Sequence, residues 1–93
     1  MNLGNAIVID GNFFVDRKST HAYISKRLSF PDYYGGNLDA LHDCLTDMGE
    51  ITIVLYAFDI AKQNLGSYAD SIKRVFIESA EENPNLSILF DEK

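Results

Sequence analysis

The sequence has little cysteine and no long apolar run, and these two scarcities exclude several classes of protein. Cys44 is the single cysteine among 93 residues, so the chain cannot form an internal disulfide, which is typical of a reducing compartment. No apolar stretch approaches the roughly 20 residues that a membrane-spanning helix needs. The residues before Ala6 carry no basic side chain, and the apolar run that follows stops at Asp10, so no secretory signal is evident. We therefore predict a cytoplasmic protein.

Lysine and arginine are absent from the middle of the chain. Between Leu28 and Ala61 there are six acidic residues and no lysine or arginine, in a chain whose net charge is −6. Such a segment repels nucleic acid and anionic lipid, and its long-range field attracts a basic protein. Charge alone also fits an ordinary solvated face, which is the alternative interpretation.

Motifs for catalysis are missing as well. The pair Gly35-Gly36 lacks the lysine and the serine or threonine of a phosphate-binding P-loop. His42, Asp43 and Cys44 are the residue types of a cysteine-nucleophile triad, but consecutive residues of a helix point about 100° apart and do not face each other. Cys44 also falls in an apolar stripe, where a thiol is inert packing. We predict that the protein is not an enzyme and uses no cofactor.

Periodicity predicts one α/β domain over residues 1–93. A hydrophobic content of 46% is typical of a globular chain, and apolar runs that alternate with helical periodicities indicate a parallel sheet. The short apolar run before Asp10 predicts a strand buried on both faces, and Asp16 is the predicted N-cap of the first helix. The predicted elements are three strands over residues 6–9, 51–56 and 86–90, and four helices over residues 17–28, from 38 to about 49, 59–64 and 67–82.

The segment from Pro31 to Leu45 predicts an aromatic, glycine-bearing loop that leads into a short acidic helix, with Asn37 as its N-cap. On a helical wheel this helix has an apolar side for the core and a polar side opposite it. Like charges three or four residues apart repel each other, so a partner that supplies positive charge would stabilise the polar side. The apolar side consists of Leu38, Leu41, Cys44, Leu45 and Met48, and the polar side of Asp39, His42, Asp43, Thr46 and Asp47.

This segment resembles the barstar family, small intracellular protein inhibitors of ribonucleases such as barnase. The pattern Pro-x-Tyr-Tyr-Gly-x-Asn-Leu-Asp-Ala-Leu-x-Asp-Cys-Leu-Thr runs from Pro31 to Thr46. The similarity extends back to Val8-Ile9-Asp10-Gly11 and resumes at Val75-Phe76, after a deletion of about two residues near positions 64–67. It therefore covers nearly the whole chain. It implies a three-stranded parallel sheet with helices packed on it and the acidic helix presented outward.

The resemblance also implies a mechanism, in which the loop and the acidic helix fill the active site of a basic microbial ribonuclease, one-to-one, as a mimic of RNA phosphate. Asp43 matches the central aspartate of the family, and Tyr33 matches a tyrosine that packs on the catalytic histidine of the ribonuclease. Glu78 and Glu82 match positions at the rim of the contact. The expected partner-binding residues are Tyr33, Gly35, Asn37, Leu38, Asp39, His42, Asp43, Thr46, Glu78 and Glu82.

The sequence departs from the family pattern on the expected contact face. His42 and Met48 stand where the family has tryptophans. Asp47 replaces a glycine of the best-known member, and Gly36 replaces a glutamate. The charge mimicry survives these changes, but the identity of the ribonuclease does not follow from the sequence.

A small metal-binding domain is the alternative function. Asp39 and His42 are three residues apart and Asp43 is four from Asp39, so the three side chains can meet above one helical face. Pairs of the type carboxylate-x-x-His occur in helical metal sites. Such sites usually need a further ligand, and only His21, on another predicted helix, remains.

Overall fold

A computed structural model describes residues 6–91 and confirms the α/β class, with a three-stranded parallel sheet and four helices. Residues 1–5 and 92–93, which the predicted domain includes, lie outside the described residues. Within the described part of the chain, no helix is both long and apolar enough to cross a membrane. The elements are β1 (Ala6–Asp10), a short 3-10 helix (Gly11–Phe13), α1 (Arg17–Leu28), α2 (Leu38–Thr46), β2 (Ile51–Tyr56), α3 (Phe58–Leu65), α4 (Ser67–Glu82) and β3 (Leu86–Asp91).

The sheet has the order β1-β2-β3, so β2 is central and the other two strands are edges. Ile53 and Leu55 of β2 are fully buried, as expected for the strand with neighbours on both sides. Every helix and strand contributes to one core. Its buried members are Ile9, Phe14, Ile24, Leu28, Leu41, Leu45, Ile53, Leu55, Phe58, Ala61, Ala69, Ile72, Phe76 and Leu86.

The prediction that β1 is buried on both faces is wrong. Ile9 is fully buried, but Val8 is 44% exposed. The register partners of Val8 on the same face of the sheet are Val54, which is partly exposed, and Leu89, which is 56% exposed, so this face is only partly covered. The outward carbonyl of Val8 accepts hydrogen bonds from the Arg27 guanidinium of α1, at 2.9 Å from Nη2 and 3.2 Å from Nε.

The predicted helix caps are confirmed for α1 and α2. Asp16 accepts a hydrogen bond from the backbone N–H of Ser19 at 2.8 Å, and the Ser19 hydroxyl accepts one from the N–H of Asp16 in return, which forms a capping box. Helix α2 ends at Thr46 rather than near residue 49. The Thr46 hydroxyl donates back to the carbonyl of His42 at 2.9 Å, a local bond that competes with continued helix.

Gly11 lies at a close approach between two backbone segments. A Cβ added there would stand 2.2 Å from the carbonyl oxygen of Ala57 and 3.1 Å from that of Tyr56, at the junction between β2 and α3. Ala57 itself has a left-handed backbone, with φ of 56°. Any side chain at position 11 must therefore push this junction outward.

We expect Gly11→Ala to lower the free energy of unfolding by about 1–3 kcal/mol or more, because the added methyl overpacks a site closed by backbone atoms. Gly49→Ala is the matched control, since a Cβ at Gly49 meets no atom within 4 Å. We expect that variant to stay within about 0.5 kcal/mol of wild type. Urea unfolding measures the stability of both variants. Equal midpoints would show that the β2–α3 junction moves to accommodate the added methyl without loss of stability.

Candidate functional site

Helix α2 is fixed on α4 by its apolar side, so that its polar side faces solvent. Leu41 and Leu45 are fully buried, and the Asn37 side chain accepts the N–H of Ala40 at 2.8 Å to cap the helix. The carboxylates on the opposite side are exposed, and the Asp43 side chain is 86% accessible. The polar side of α2, with its carboxylates, is therefore accessible to another molecule.

Helix α4 adds carboxylates to the same surface. Glu82 Oε2 lies 3.0 Å from His42 Nε2, so the end of α4 reaches the middle of α2. Glu78, one turn earlier on α4, is exposed, and its negative charge helps to raise the pKa of His42. We call the surface formed by Asp39, Asp43 and Asp47 of α2 with Glu78 and Glu82 of α4 the acidic face.

His42 lies within the acidic face and not at its edge. Its Nε2–H donates to Glu82, and its Nδ1 is 3.9 Å from Asp43 Oδ1. The hydrogen bond to Glu82 raises the pKa of His42 above its usual value. Burial is the second largest influence and opposes this shift, while the charges of Glu82, Asp43 and Glu78 add to it. Sequence reasoning missed this pair, because the two residues are 40 positions apart and no local spacing relates them.

The segment before α2, residues 29–37, is here called the tyrosine loop. Its two adjacent tyrosines point in different directions: Tyr33 is 87% exposed, while Tyr34 is half-buried and packs against Phe30 with ring centroids 5.0 Å apart. The Tyr34 hydroxyl lies 2.6 Å from His21 Nδ1. One tyrosine thus anchors the loop and the other is presented outward.

His21 joins three elements of the structure. This buried histidine of α1 bonds the Tyr34 hydroxyl through one ring nitrogen and the Tyr68 hydroxyl of α4 through the other, at 2.8 Å. The guanidinium carbon of Arg17 lies 4.2 Å from the centre of the Tyr68 ring. Burial lowers the pKa of His21, so the neutral ring is favoured, in which one nitrogen donates and the other accepts. From the sequence alone, His21 is only a possible further metal ligand, and nothing local indicates this bridge.

A cleft of about 460 Å³ separates the tyrosine loop from α2. Leu28 and Met48 supply apolar lining, while Tyr33, Asp43 and Asp47 surround it. An apolar floor with carboxylates at its rim suits the aliphatic stem and cationic head of arginine or lysine. The cleft can therefore receive a long basic side chain.

The ten predicted contact residues lie on three neighbouring parts of the chain, and none of them is buried. Two contacts relate these parts to one another: Tyr33 and Asp43 line the same cleft, and His42 bonds Glu82. Tyr33, Gly35 and Asn37 are exposed in the tyrosine loop, Leu38, His42 and Thr46 are half-buried on α2, Asp39 and Asp43 are exposed on α2, and Glu78 and Glu82 are exposed on α4.

The alternative metal site finds no support in the geometry. Among the residues that the structure describes, no three His, Cys, Asp or Glu side chains converge as ligands would. His42 Nε2 is directed at Glu82 rather than at Asp39. Asp39, His42 and Asp43 share a face of α2, as the spacing predicted, but sharing a face does not bring their donor atoms together.

Cys44 has none of the properties of a nucleophile. Its side chain is partly buried beside the apolar side of α2. Burial raises the pKa of the Cys44 thiol, and the Asp43 and Asp47 carboxylates raise it further. Such a thiol is protonated at neutral pH, which disfavours the reactive thiolate.

Two comparisons with known proteins identify the family of this chain. The family described as Barstar (barnase inhibitor) matches residues 5–91. The chain is also 46% identical over 78 residues to "Putative ribonuclease inhibitor YrdF" of Bacillus subtilis (strain 168), an alignment that covers 82% of this chain and 86% of that protein. The chain therefore belongs to the barstar family.

The His21 bridge predicts a pH dependence of stability. Unfolded histidine takes up a proton near pH 6.5, whereas the lowered pKa of His21 delays protonation of the native state. Stability from this residue is therefore lost as pH falls through about 6.5 toward the folded-state pKa. We expect the unfolding free energy of wild type to fall relative to that of His21→Gln over this range.

Urea unfolding of both proteins at several pH values measures this difference. His42 is present in both, so its own titration cancels from the comparison. Parallel pH profiles for the two proteins would contradict a neutral, bridging His21.

Proposed function

We propose that this protein inhibits a microbial ribonuclease by placing the acidic face and the tyrosine loop in the active site of the enzyme. Membership of the barstar family and the name of the Bacillus relative support the ribonuclease as target. The observation that carries the mechanism is the convergence of carboxylates from α2 and α4 on one exposed surface. A ribonuclease cleft holds lysine, arginine and histidine for the RNA phosphate, so a surface of carboxylates is its electrostatic complement.

In this mechanism Asp43 occupies the phosphate subsite. Its side chain is 86% accessible, compared with 58% for Glu82, and it projects from the middle of α2 beside the cleft. Asp39 lies in the first turn of α2, where the helix dipole favours a negative charge. The two carboxylates are one turn apart and together imitate successive negative charges of the substrate.

Tyr33 and the cleft supply the remaining contacts. Tyrosine offers a large, rigid surface at low entropic cost, and Tyr33 is almost wholly accessible. We propose that it covers the catalytic histidine of the ribonuclease. Tyr34 holds the loop in place before binding, so less conformational freedom is lost when the complex forms.

The proposed setting is the cytoplasm, where an inhibitor protects the cell from a ribonuclease that the cell itself makes. A single protonated thiol suits a reducing compartment. The net charge of −6 disfavours binding to nucleic acid or anionic lipid, so a basic protein is the partner of choice. The complex is expected to contain one copy of each protein, since one acidic face fills one active site.

We expect purified protein to abolish the activity of a basic, barnase-like ribonuclease at a one-to-one molar ratio. Titration of inhibitor into enzyme, with RNA cleavage followed by fluorescence, measures both the inhibition and the stoichiometry. A double variant, Asp39→Asn with Asp43→Asn, keeps the shape of the surface and is the matched control. Full activity of every enzyme in a panel of basic microbial ribonucleases would contradict the proposed function.

Asp43→Ala and Asp47→Ala remove one charge each from the same helix, and we expect very different results. Loss of a carboxylate that is buried against cations in the complex costs about 2–5 kcal/mol of binding, whereas a rim charge mainly changes association rate and salt dependence. Asp43→Ala should therefore weaken binding far more than Asp47→Ala, with Asp39→Ala between them and Glu82→Ala altering chiefly the salt dependence.

Dissociation constants at two salt concentrations test this order. All four carboxylates are exposed in the free protein, so urea unfolding should show little change and serves as the control for folding. Equal losses for Asp43→Ala and Asp47→Ala would indicate a diffuse acidic patch without a phosphate subsite.

A further inference from the structure

His42 is surrounded by negative charge from both helices that form the acidic face. Asp43 on its own helix lies 3.9 Å from Nδ1, and Glu82 on α4 lies 3.0 Å from Nε2. Glu78 on α4 and Asp39 one turn earlier on α2 complete the charged surroundings. No lysine or arginine occurs between residues 28 and 61, so His42 is the one side chain of α2 that can carry positive charge.

The protonated form of His42 fits these surroundings better than the neutral form. An imidazolium donates to Glu82 and is attracted by the charge of Asp43 at 3.9 Å, whereas the neutral ring keeps only the hydrogen bond to Glu82. About a third of the side chain is accessible, so water can exchange the proton freely. In the free protein the imidazolium therefore neutralises part of the charge that a basic partner would use.

We propose that His42 is a built-in cationic competitor for the binding surface, and that docking of the ribonuclease displaces its positive charge and releases its proton. The inference rests on the proposed function, since it assumes that basic groups of the ribonuclease bind Asp43 and Glu82. Those groups bring positive charge beside the ring, which disfavours the imidazolium. The proton leaves for the solvent, and the neutral ring remains in the interface.

The sign of the pH dependence follows from proton counting. The free protein binds more protons at His42 than the complex does, so affinity rises with pH through the range in which free His42 titrates. The Glu82 contact extends this range above the usual pKa of histidine. One released proton limits the slope to a factor of about ten per pH unit.

The matched variant is His42→Gln, which keeps a polar side chain and removes the titration. Inhibition constants for wild type and His42→Gln are measured at about pH 6 and about pH 8, at constant ionic strength. Groups of the ribonuclease titrate equally in both series, so the ratio of the two constants isolates His42. We expect wild type to lose about three- to tenfold in affinity relative to His42→Gln on going from the higher to the lower pH.

Two further measurements distinguish this inference from the proposed function. Calorimetry in buffers of different ionisation enthalpy should show that wild type releases a larger proton fraction than His42→Gln on binding. An NMR titration of the free protein should show a lower pKa for His42 in Glu82→Gln than in wild type. An unchanged pKa in Glu82→Gln, or inhibition with a pH-independent ratio, would overturn the inference alone. Absence of inhibition by both proteins would overturn the proposed function and this inference with it.

Discussion

The contact of α2 with α4 is the interaction on which the whole proposed binding surface depends. Leu41 and Leu45 seat α2 in the core, and the buried Asn83 side chain, just after α4, donates to the carbonyls of Leu45 and Met48 at 3.0 Å each. These hydrogen bonds from the Asn83 amide tie the last turn of α2, and Met48 just beyond it, to the end of α4. Because both helices are fixed to the same core, the carboxylates of the acidic face are arranged before a partner arrives, which reduces the entropy lost on binding.

The acidic face has an electrostatic cost in the free protein. Asp47 caps the C-terminus of α2 and Glu82 ends α4, and both positions place negative charge where the helix dipole disfavours it. Exposure to water reduces the repulsion, and His42 supplies a local positive charge. Neither effect removes the concentration of charge. This arrangement of carboxylates lowers the stability of the free protein. Its best explanation is therefore the proposed binding of a positively charged partner.

Capping residues and hydrophobic periodicity, which are local signals, predicted the fold well. The features that they did not predict depend on contacts between residues far apart in the sequence. Asp16 and Asn37 are caps with short-range signals, and the bounds of α1 and α4 follow from the periodicity between such signals. The exposure of Val8 depends on which face of the sheet is covered, which no local pattern encodes. The proposed binding surface rests on a resemblance to a known family and not on residue spacing. The contacts of His42 with Glu82 and of His21 with Tyr68 join residues 40 and 47 positions apart, so only the folded chain reveals them.

The bond between Arg27 and the Val8 carbonyl has a consequence for behaviour at high concentration. An uncovered edge strand offers its backbone groups to any other extended chain, and this is a common start of aggregation. On β1 the guanidinium occupies one of these acceptors and places a charge beside the edge. A strand from a second molecule would have to displace that charge and leave it poorly solvated. Arg27 thus helps to prevent β1 from pairing edge to edge with a strand of a second molecule.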